Sequence, residues 1–244
     1  MHMIESPDAS QIKRAVDAIA SFISEGNFRF SEKGISLRAV DPSQIVLVDC
    51  FMDKNAFTQY QIEPTFVGVD VVELARMLAR CLPNDKLFLN VNDSEMELRL
   101  EGDFTRSFSL PLIDVSEGEK EMKIPDTKFD ARVEINARLL KEALKDAHIF
   151  GSSVTLKIKN KQFLIEAKGS QGTLRTVSKE GKLFSIRHGV DVTSKYSLNY
   201  LSNVVKEADN DSMIALELKS DAPLRISYEI GKTKLQYYLA HMIL

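Results

Sequence analysis

Basic side chains at helical spacing are the residues of this chain best suited to chemistry with a partner. Arg76 and Arg80 stand four apart, as do Lys141 and Lys145, and Arg138 and His148 extend the latter stripe by three residues each way. Lys13 and Arg14 are adjacent, and Lys206 stands nearly alone. Cations carried on helix faces neutralise backbone phosphates without reading bases, which is one reading of the set: a surface for duplex nucleic acid. The other reading is a solvated helix face, because Lys and Arg are good helix formers and Glu73, Glu142, Asp146 and Glu207 are interleaved with them. The net charge of −3 over 244 residues announces no nucleic-acid partner, so a basic surface must be local.

The motifs of catalysis are missing. The sequence holds no glycine-rich phosphate loop with its lysine, no G-x-S-x-G elbow and no H-E-x-x-H. His2, His148, His188 and His241 are scattered. Asp41 and Asp49 invite a metal or acid–base account, but aspartates beside a turn more often cap it. Cys50 and Cys81 form neither a metal-ligand nor a redox spacing, and their number suits a reducing compartment. No apolar run approaches the roughly 18 residues of a membrane helix, and no secretory signal opens the chain. The expectation is a binding scaffold without catalytic residue, metal or cofactor. The alternative from another class is a small α+β enzyme with an unrecognised site.

These side chains need elements to position them. The stretch from Pro111 to Phe129 ends an apolar run at Val115 and then turns polar and acidic, punctuated by Gly118 and Pro125. It predicts an interdomain connection over 115–130 between domains at 1–114 and 131–244, each of ordinary domain size. Met122 and Ile124 are exposed apolar groups on that connection, a feature of docking surfaces. Apolar periodicity predicts helices over Asp8–Ser24 (ended by Gly26), Asp70–Leu82, Asn136–Ile149 and Ser197–Ala208. Strands are predicted at Asn27–Phe30, Ile35–Val40, Gln44–Phe51, Thr58–Ile62, Lys86–Val91, Glu95–Glu101 and Phe104–Ile113. The second half repeats them at Ser153–Lys159, Gln162–Ala167, Thr173–Ser178, Lys182–Arg187, Met213–Lys219, Leu224–Ile230 and Lys234–Ala240. Leu74 and Leu201, Leu78 and Val205, and Leu89 and Leu216 share a spacing of 127 residues (201 − 74). The plan is an α+β duplication, two helices packed on antiparallel sheets in each of two similar domains.

Several of these residues resemble a known family. Leu37-Arg38-Ala39-Val40-Asp41-Pro42-Ser43-Gln44-Ile45-Val46-Leu47-Val48-Asp49 is similar to the strand–loop–strand signature of sliding clamps of the proliferating-cell-nuclear-antigen type. Further matches are Gly102–Val115, Lys141–Ala147, Ala222-Pro223-Leu224 and Tyr237-Tyr238-Leu239-Ala240. The resemblance covers essentially the whole chain and is closest to the archaeal members. It implies two domains of the DNA-clamp fold, three copies closing a ring around duplex DNA, with helices lining the hole. The function implied is that of a processivity factor, which tethers polymerase, flap endonuclease and ligase to non-specific DNA and is placed there by a clamp loader. The location implied is cytoplasmic and nucleoid-associated in an archaeon, or nuclear in a eukaryote, with no membrane. A subunit of a heterotrimeric or checkpoint-type clamp is the alternative within the family.

The resemblance also assigns positions. The DNA-facing set is Lys13, Arg14, Arg76, Arg80, Lys141, Lys145 and Lys206. A pocket for a short peptide of partner proteins, with a glutamine and two aromatics, falls on Val40, Gln44, Ile45 and Leu47, on Met122, Ile124 and Pro125, and on Pro223, Tyr238, Leu239 and Ala240. The subunit junction falls on Thr105–Leu110 against Gly172–Val177, with Phe108, Leu110, Leu174 and Val177 as apolar contacts and Glu142 and Asp146 pairing with Arg80 or Arg106. One departure is plain: the family's Leu-Ala-Pro-basic ending reads Leu239-Ala240-His241-Met242 here.

Overall fold

The structure, a computed structural model, describes residues 3–114 and 122–243. The first part of the expected connection, 115–121, lies outside the described residues. Two compact units emerge: Met1–Gln44, Val48–Lys123 and Glu229–Leu235 form one, and Ile45–Leu47, Ile124–Tyr228 and Gln236–Leu244 the other. Ile45–Leu47 thus belongs to the second unit and Glu229–Leu235 to the first.

The first half of the chain carries β1 (Met3–Ser6), α1 (Ala9–Ala20), β2 (Glu25–Ser31), β3 (Gly34–Val40), β4 (Val46–Asp53), β5 (Gln59–Gln61), β6 (Thr65–Asp70), α2 (Val71–Leu78), β7 (Lys86–Val91), β8 (Glu95–Glu101) and β9 (Thr105–Pro111). The second half follows the same order: β10 (Ala131–Asn136), α3 (Ala137–His148), β11 (Ser153–Lys159), β12 (Gln162–Gly169), β13 (Gly172–Val177), β14 (Phe184–Gly189), β15 (Val192–Ser197), α4 (Leu198–Val205), β16 (Met213–Leu218), β17 (Leu224–Ile230) and β18 (Thr233–Leu239). Sheet order repeats too. β5-β1-β7-β8-β9 corresponds to β14-β10-β16-β17-β18, and β4-β3-β2-β6 to β13-β12-β11-β15. The 127-residue spacing is this correspondence, since Leu74 and Leu78 of α2 and Leu201 and Val205 of α4 are all buried. The α+β duplication is thus the observed fold.

Local chemistry explains the elements. Asp8 caps α1 by accepting from the Ser10 N–H at 2.9 Å, Asp70 caps α2 through the Glu73 N–H at 2.9 Å, and Asn136 caps α3 through the Leu139 N–H at 3.3 Å. On α1 the buried residues Ile12, Ala15, Val16 and Ile19 form one stripe. On β8, Met96, Leu98 and Leu100 point inward and alternate with charged Glu97 and Arg99.

Several expected boundaries move. α1 ends at Ala20, not Ser24, and Gly26 lies inside β2. Its role there is steric: a Cβ would meet Leu37 Cδ1 at 2.7 Å. α2 ends at Leu78, so Arg80 sits in the following turn and is not a helical i, i+4 partner of Arg76. α4 stops at Val205. β1, β6, β10 and β15 were not expected; β1 and β10 precede helices at short range, and β6 and β15 run directly into α2 and α4. Short strands that pass straight into a helix leave no turn signal to read.

Candidate partner and nucleic-acid surfaces

In the first unit, Asp41 ends β3 and builds the turn that follows. Its carboxylate accepts from the Ser43 N–H at 3.1 Å and its carbonyl from the Gln44 N–H at 2.8 Å. Gln44 takes a φ of 58°, the left-handed region that an L-residue adopts at a cost. Asp49 is paired with Arg38, Nε to carboxylate oxygen at 3.0 Å. Asp41 and Asp49 are therefore committed to a turn and an ion pair. Among the described residues no group of three or more His, Cys, Asp or Glu side chains could hold a metal ion. Burial pushes the Cys50 thiol well above its ordinary range, and Cys81 is raised by its partial burial. No helix among the described residues is long and apolar enough to cross a membrane.

The residues expected to form the pocket differ in burial. Within the second unit, Leu47, Tyr238 and Leu239 are buried. Ile45, Pro223 and Ala240 are half-buried, and Ile124 and Pro125 are exposed. The Ala240 N–H donates to the Ile45 carbonyl at 2.8 Å, which brings the carboxyl-terminal run against the segment after the Gln44 turn. The Tyr196 hydroxyl donates to the Ala222 carbonyl at 3.0 Å, fixing the backbone just before Pro223. In the first unit Val40 is half-buried at the end of β3, while Gln44 and Met122 are exposed.

The described part of the connecting segment, 122–129, meets at Met122 and at Phe129 arginines that the sequence did not single out. In the first unit, Arg38 Nη1 donates to the Met122 carbonyl at 3.0 Å while its Nε holds Asp49. In the second, the Arg225 guanidinium lies over the Phe129 ring at 4.9 Å and grips Glu217 through both Nε and Nη2. The Glu217 contact leads the upward shift of the Arg225 pKa, and Tyr238 adds to it. A charged residue inside an apolar strand run, Arg38 between Leu37 and Ala39, was the signal available.

The basic residues differ from one another in what they face. In the first unit Lys13 pairs with Asp17 at 2.6 Å on α1, and Arg76 with Glu73 at 2.6 Å on α2. Arg14 is half-buried and Arg80 exposed. In the second unit Lys145 is exposed and pairs with Glu142 at 2.7 Å, and Lys206 lies 3.8 Å from Glu207. Lys141 is engaged otherwise: its ammonium donates to the Ala208 carbonyl at 2.6 Å and to Asn210 Oδ1 at 3.0 Å. It thereby satisfies a carbonyl just past the end of α4. Arg138 pairs with Asp211 at 2.8 Å, and His148 Nε2 meets the Ser202 hydroxyl at 3.1 Å.

The expected junction strands are both edges of their sheets. β9 ends the order β5-β1-β7-β8-β9, and β13 ends β13-β12-β11-β15. Phe108 and Leu174 are half-buried and Val177 is exposed. Leu110 is buried in the core of its own unit. Arg106 is held inside the first unit, donating to the Arg80 carbonyl and to the buried Asp85 carboxylate. Glu142 and Asp146 are exposed on α3.

The chain was compared with known proteins. The family model of the proliferating cell nuclear antigen N-terminal domain matches residues 1–116, and that of its C-terminal domain residues 123–243. A DNA polymerase sliding clamp of Methanothrix thermoacetophila is 33% identical, over 97% of this chain and 96% of its own. That of Pyrococcus furiosus is 31% identical, over 95% and 94%. Among solved structures, A. fulgidus PCNA with the C-terminal region of FEN-1 bound superposes with a TM-score of 0.91 at 27% identity, covering 100% of this chain and 99% of that one. PCNA from Thermococcus kodakaraensis shares the fold with a TM-score of 0.93, at 24% identity and coverages of 99% and 100%.

Proposed function

The chain belongs to the proliferating cell nuclear antigen family of DNA sliding clamps, and from that premise we propose how its parts do the work. Three copies close head to tail, β9 of one adding to β13 of the next. The single observation that carries this is the pair of edge strands, one at the end of a sheet in each unit. An open edge offers a row of main-chain donors and acceptors and seeks a partner. Such pairing is heterologous and closes only if the rotation per subunit allows it. The main-chain ladder dominates the junction; exposed ion pairs add only about 0–1 kcal/mol each.

Duplex DNA threads the ring, and cations on the helices and just past their ends meet its phosphates without reading sequence. Lys13, Arg14, Arg76, Arg80, Lys145 and Lys206 are the contacts; Lys141 contributes once released from the Ala208 carbonyl. The protein is a non-catalytic tether. It holds polymerase, flap endonuclease or ligase near DNA by topology and so raises their effective concentration. Partners bind through a short helical-turn peptide whose aromatic anchors cover Ile45, Ile124, Pro125, Pro223 and Ala240, above the floor of Leu47, Tyr238 and Leu239. The FEN-1 region bound to the A. fulgidus relative supports this reading.

Light scattering of the purified chain tests the assembly. The expected mass is three times the 27.5 kDa of one chain. A monomer that gains mass only on adding paralogues overturns the homotrimer in favour of a heteromeric clamp. A monomer that never assembles overturns the ring.

A further inference from the structure

Seven peptide steps separate Met122 from Phe129, and the exposed Ile124 and Pro125 lie between them. Each end of this stretch meets an arginine whose charge is already matched by a carboxylate. At one end the Arg38 guanidinium divides its fork, Nε to Asp49 at 3.0 Å and Nη1 to the Met122 carbonyl at 3.0 Å. At the other end Arg225 gives its fork to Glu217 and its face to Phe129, 4.9 Å from the ring centroid. The neighbouring Asp130 N–H donates to the Leu218 carbonyl at 2.9 Å.

A planar guanidinium suits this task because it presents several donors in one plane and a weakly hydrated face to an aromatic ring. With the Met122 carbonyl fixed, Ile124 lies within about 7 Å along the chain, at roughly 3.3–3.6 Å per residue. The stretch itself has neither helix nor strand to hold it. Without the clips it samples many conformations, and a peptide must first select among them.

We propose that Arg38 and Arg225 are positioning residues: each clips one end of the 122–129 stretch, and together they preorganise Ile124 and Pro125 for a partner peptide that neither arginine touches. This rests on the partner-peptide reading above. The clip residues are specific to the job in different ways. Arg38 acts through a main-chain acceptor and is indifferent to the side chain at 122. Arg225 acts through the ring at 129 and requires an aromatic there.

The test uses the assembled full chain, a synthetic peptide carrying a glutamine and ending in two aromatics, and tryptic cleavage after Lys123. Arg38→Met removes both hydrogen bonds and keeps the stem. Phe129→Ala removes the stacking partner and leaves the Arg225–Glu217 pair intact, avoiding a buried unpaired carboxylate. Each is expected to weaken the peptide roughly tenfold by calorimetry, through lost preorganisation. Each is also expected to speed cleavage after Lys123, with assembly mass unchanged. Phe129→Tyr restores both readouts, and Arg38→Lys restores them in part, because an ammonium reaches one acceptor well but not both in a plane. Wild-type affinity in Arg38→Met and Phe129→Ala, beside a weakened Ile124→Ala control, overturns the clips and leaves the pocket standing. Weakened affinity with unchanged cleavage also overturns them, since the arginines then act by touching the peptide. An Ile124→Ala control that binds as wild type overturns the pocket reading, and the clips with it.

Discussion

β9 and β18 are the same strand of a repeated plan, as are β13 and β4. Their surroundings differ. Along β18 the residues Thr233, Leu235, Tyr237, Tyr238 and Leu239 are buried, and along β4 Val46, Leu47, Val48, Cys50 and Met52 are. Along β9 the residues Thr105, Ser107, Ser109 and Pro111 are exposed, and along β13 Thr173, Arg175 and Val177 are. β4 is bonded at its far end inside the first unit, the Asp53 N–H donating to the Lys232 carbonyl at 3.2 Å. One copy of each equivalent strand is thus covered within the chain, and the other copy is an open edge, with threonine and serine exposed along β9 and threonine, arginine and valine along β13. The difference teaches that duplication repeats a strand without repeating its surroundings; the exposed pair, β9 and β13, is the one the proposed head-to-tail junction uses.

The largest expected effect breaks this comparison outright. Proline at Ser109 or Leu174 removes a main-chain donor where that N–H serves the ladder and disfavours strand pairing at the open edges. Ser109→Pro, or failing that Leu174→Pro, is expected to give a folded monomer by sedimentation with near-native circular dichroism. Trimers from both variants would move the junction elsewhere.

Next in size is the peptide pocket, where rim and floor should separate. Ile45→Ala and Ile124→Ala are expected to weaken an aromatic peptide by about 1–3 kcal/mol, the transfer energy of a buried side chain. Leu47→Ala, buried in the floor, should also lower the unfolding midpoint, since emptying a core position costs about 2–5 kcal/mol. Calorimetry paired with thermal melts distinguishes them, and equal affinity in wild type and the Ile45→Ala plus Ile124→Ala variant would sink the pocket.

The helix caps give a smaller contrast between the halves. α1 is capped by Asp8 and α3 by Asn136, so only the first is titratable. The hydrogen bond from the Ser10 side chain holds the Asp8 carboxyl below the usual carboxylate range. A depressed carboxyl stabilises fully above its unfolded pKa, and that contribution disappears as pH falls through the folded one. Asp8→Ala is therefore expected to cost about 1 kcal/mol at neutral pH and nothing in strong acid, whereas Asn136→Ala should cost a similar amount at both. Denaturant melts at two pH values check the sign.

The smallest effect sharpens the reading of the basic helices. Lys145 is exposed and Lys141 is engaged with the Ala208 carbonyl. Lys145→Ala should lower the slope of log affinity for linear duplex DNA against log salt by about 0.9, the value for one phosphate contact. Lys141→Ala should change it less and instead lower thermal stability. An unchanged slope in the double variant would put both lysines away from DNA.

Periodicity alone settled where the four helices sit, where β7, β8, β11 and β17 begin and end, and that the chain is a duplication. These follow from burying one stripe or one face, a local requirement that sequence records directly. The resemblance of Leu37–Asp49 and Tyr237–Ala240 to clamp signatures supplied the family, because such strings encode a whole site at once. The tertiary structure decided the rest. It buried Leu47, Tyr238 and Leu239 while leaving Ile124 exposed, withdrew Leu110 into the core, and turned Arg106 inward to Asp85. It moved Arg80 off its helix and tied Lys141 to the segment after α4. It also gave Arg38 and Arg225 their partners, the Met122 carbonyl 84 residues away in one case and the Phe129 ring in the other. A charged side chain carries no mark in sequence of which acceptor it will meet. That is fixed only when distant segments pack, because a long flexible cation takes whichever partner the fold brings within about 3 Å.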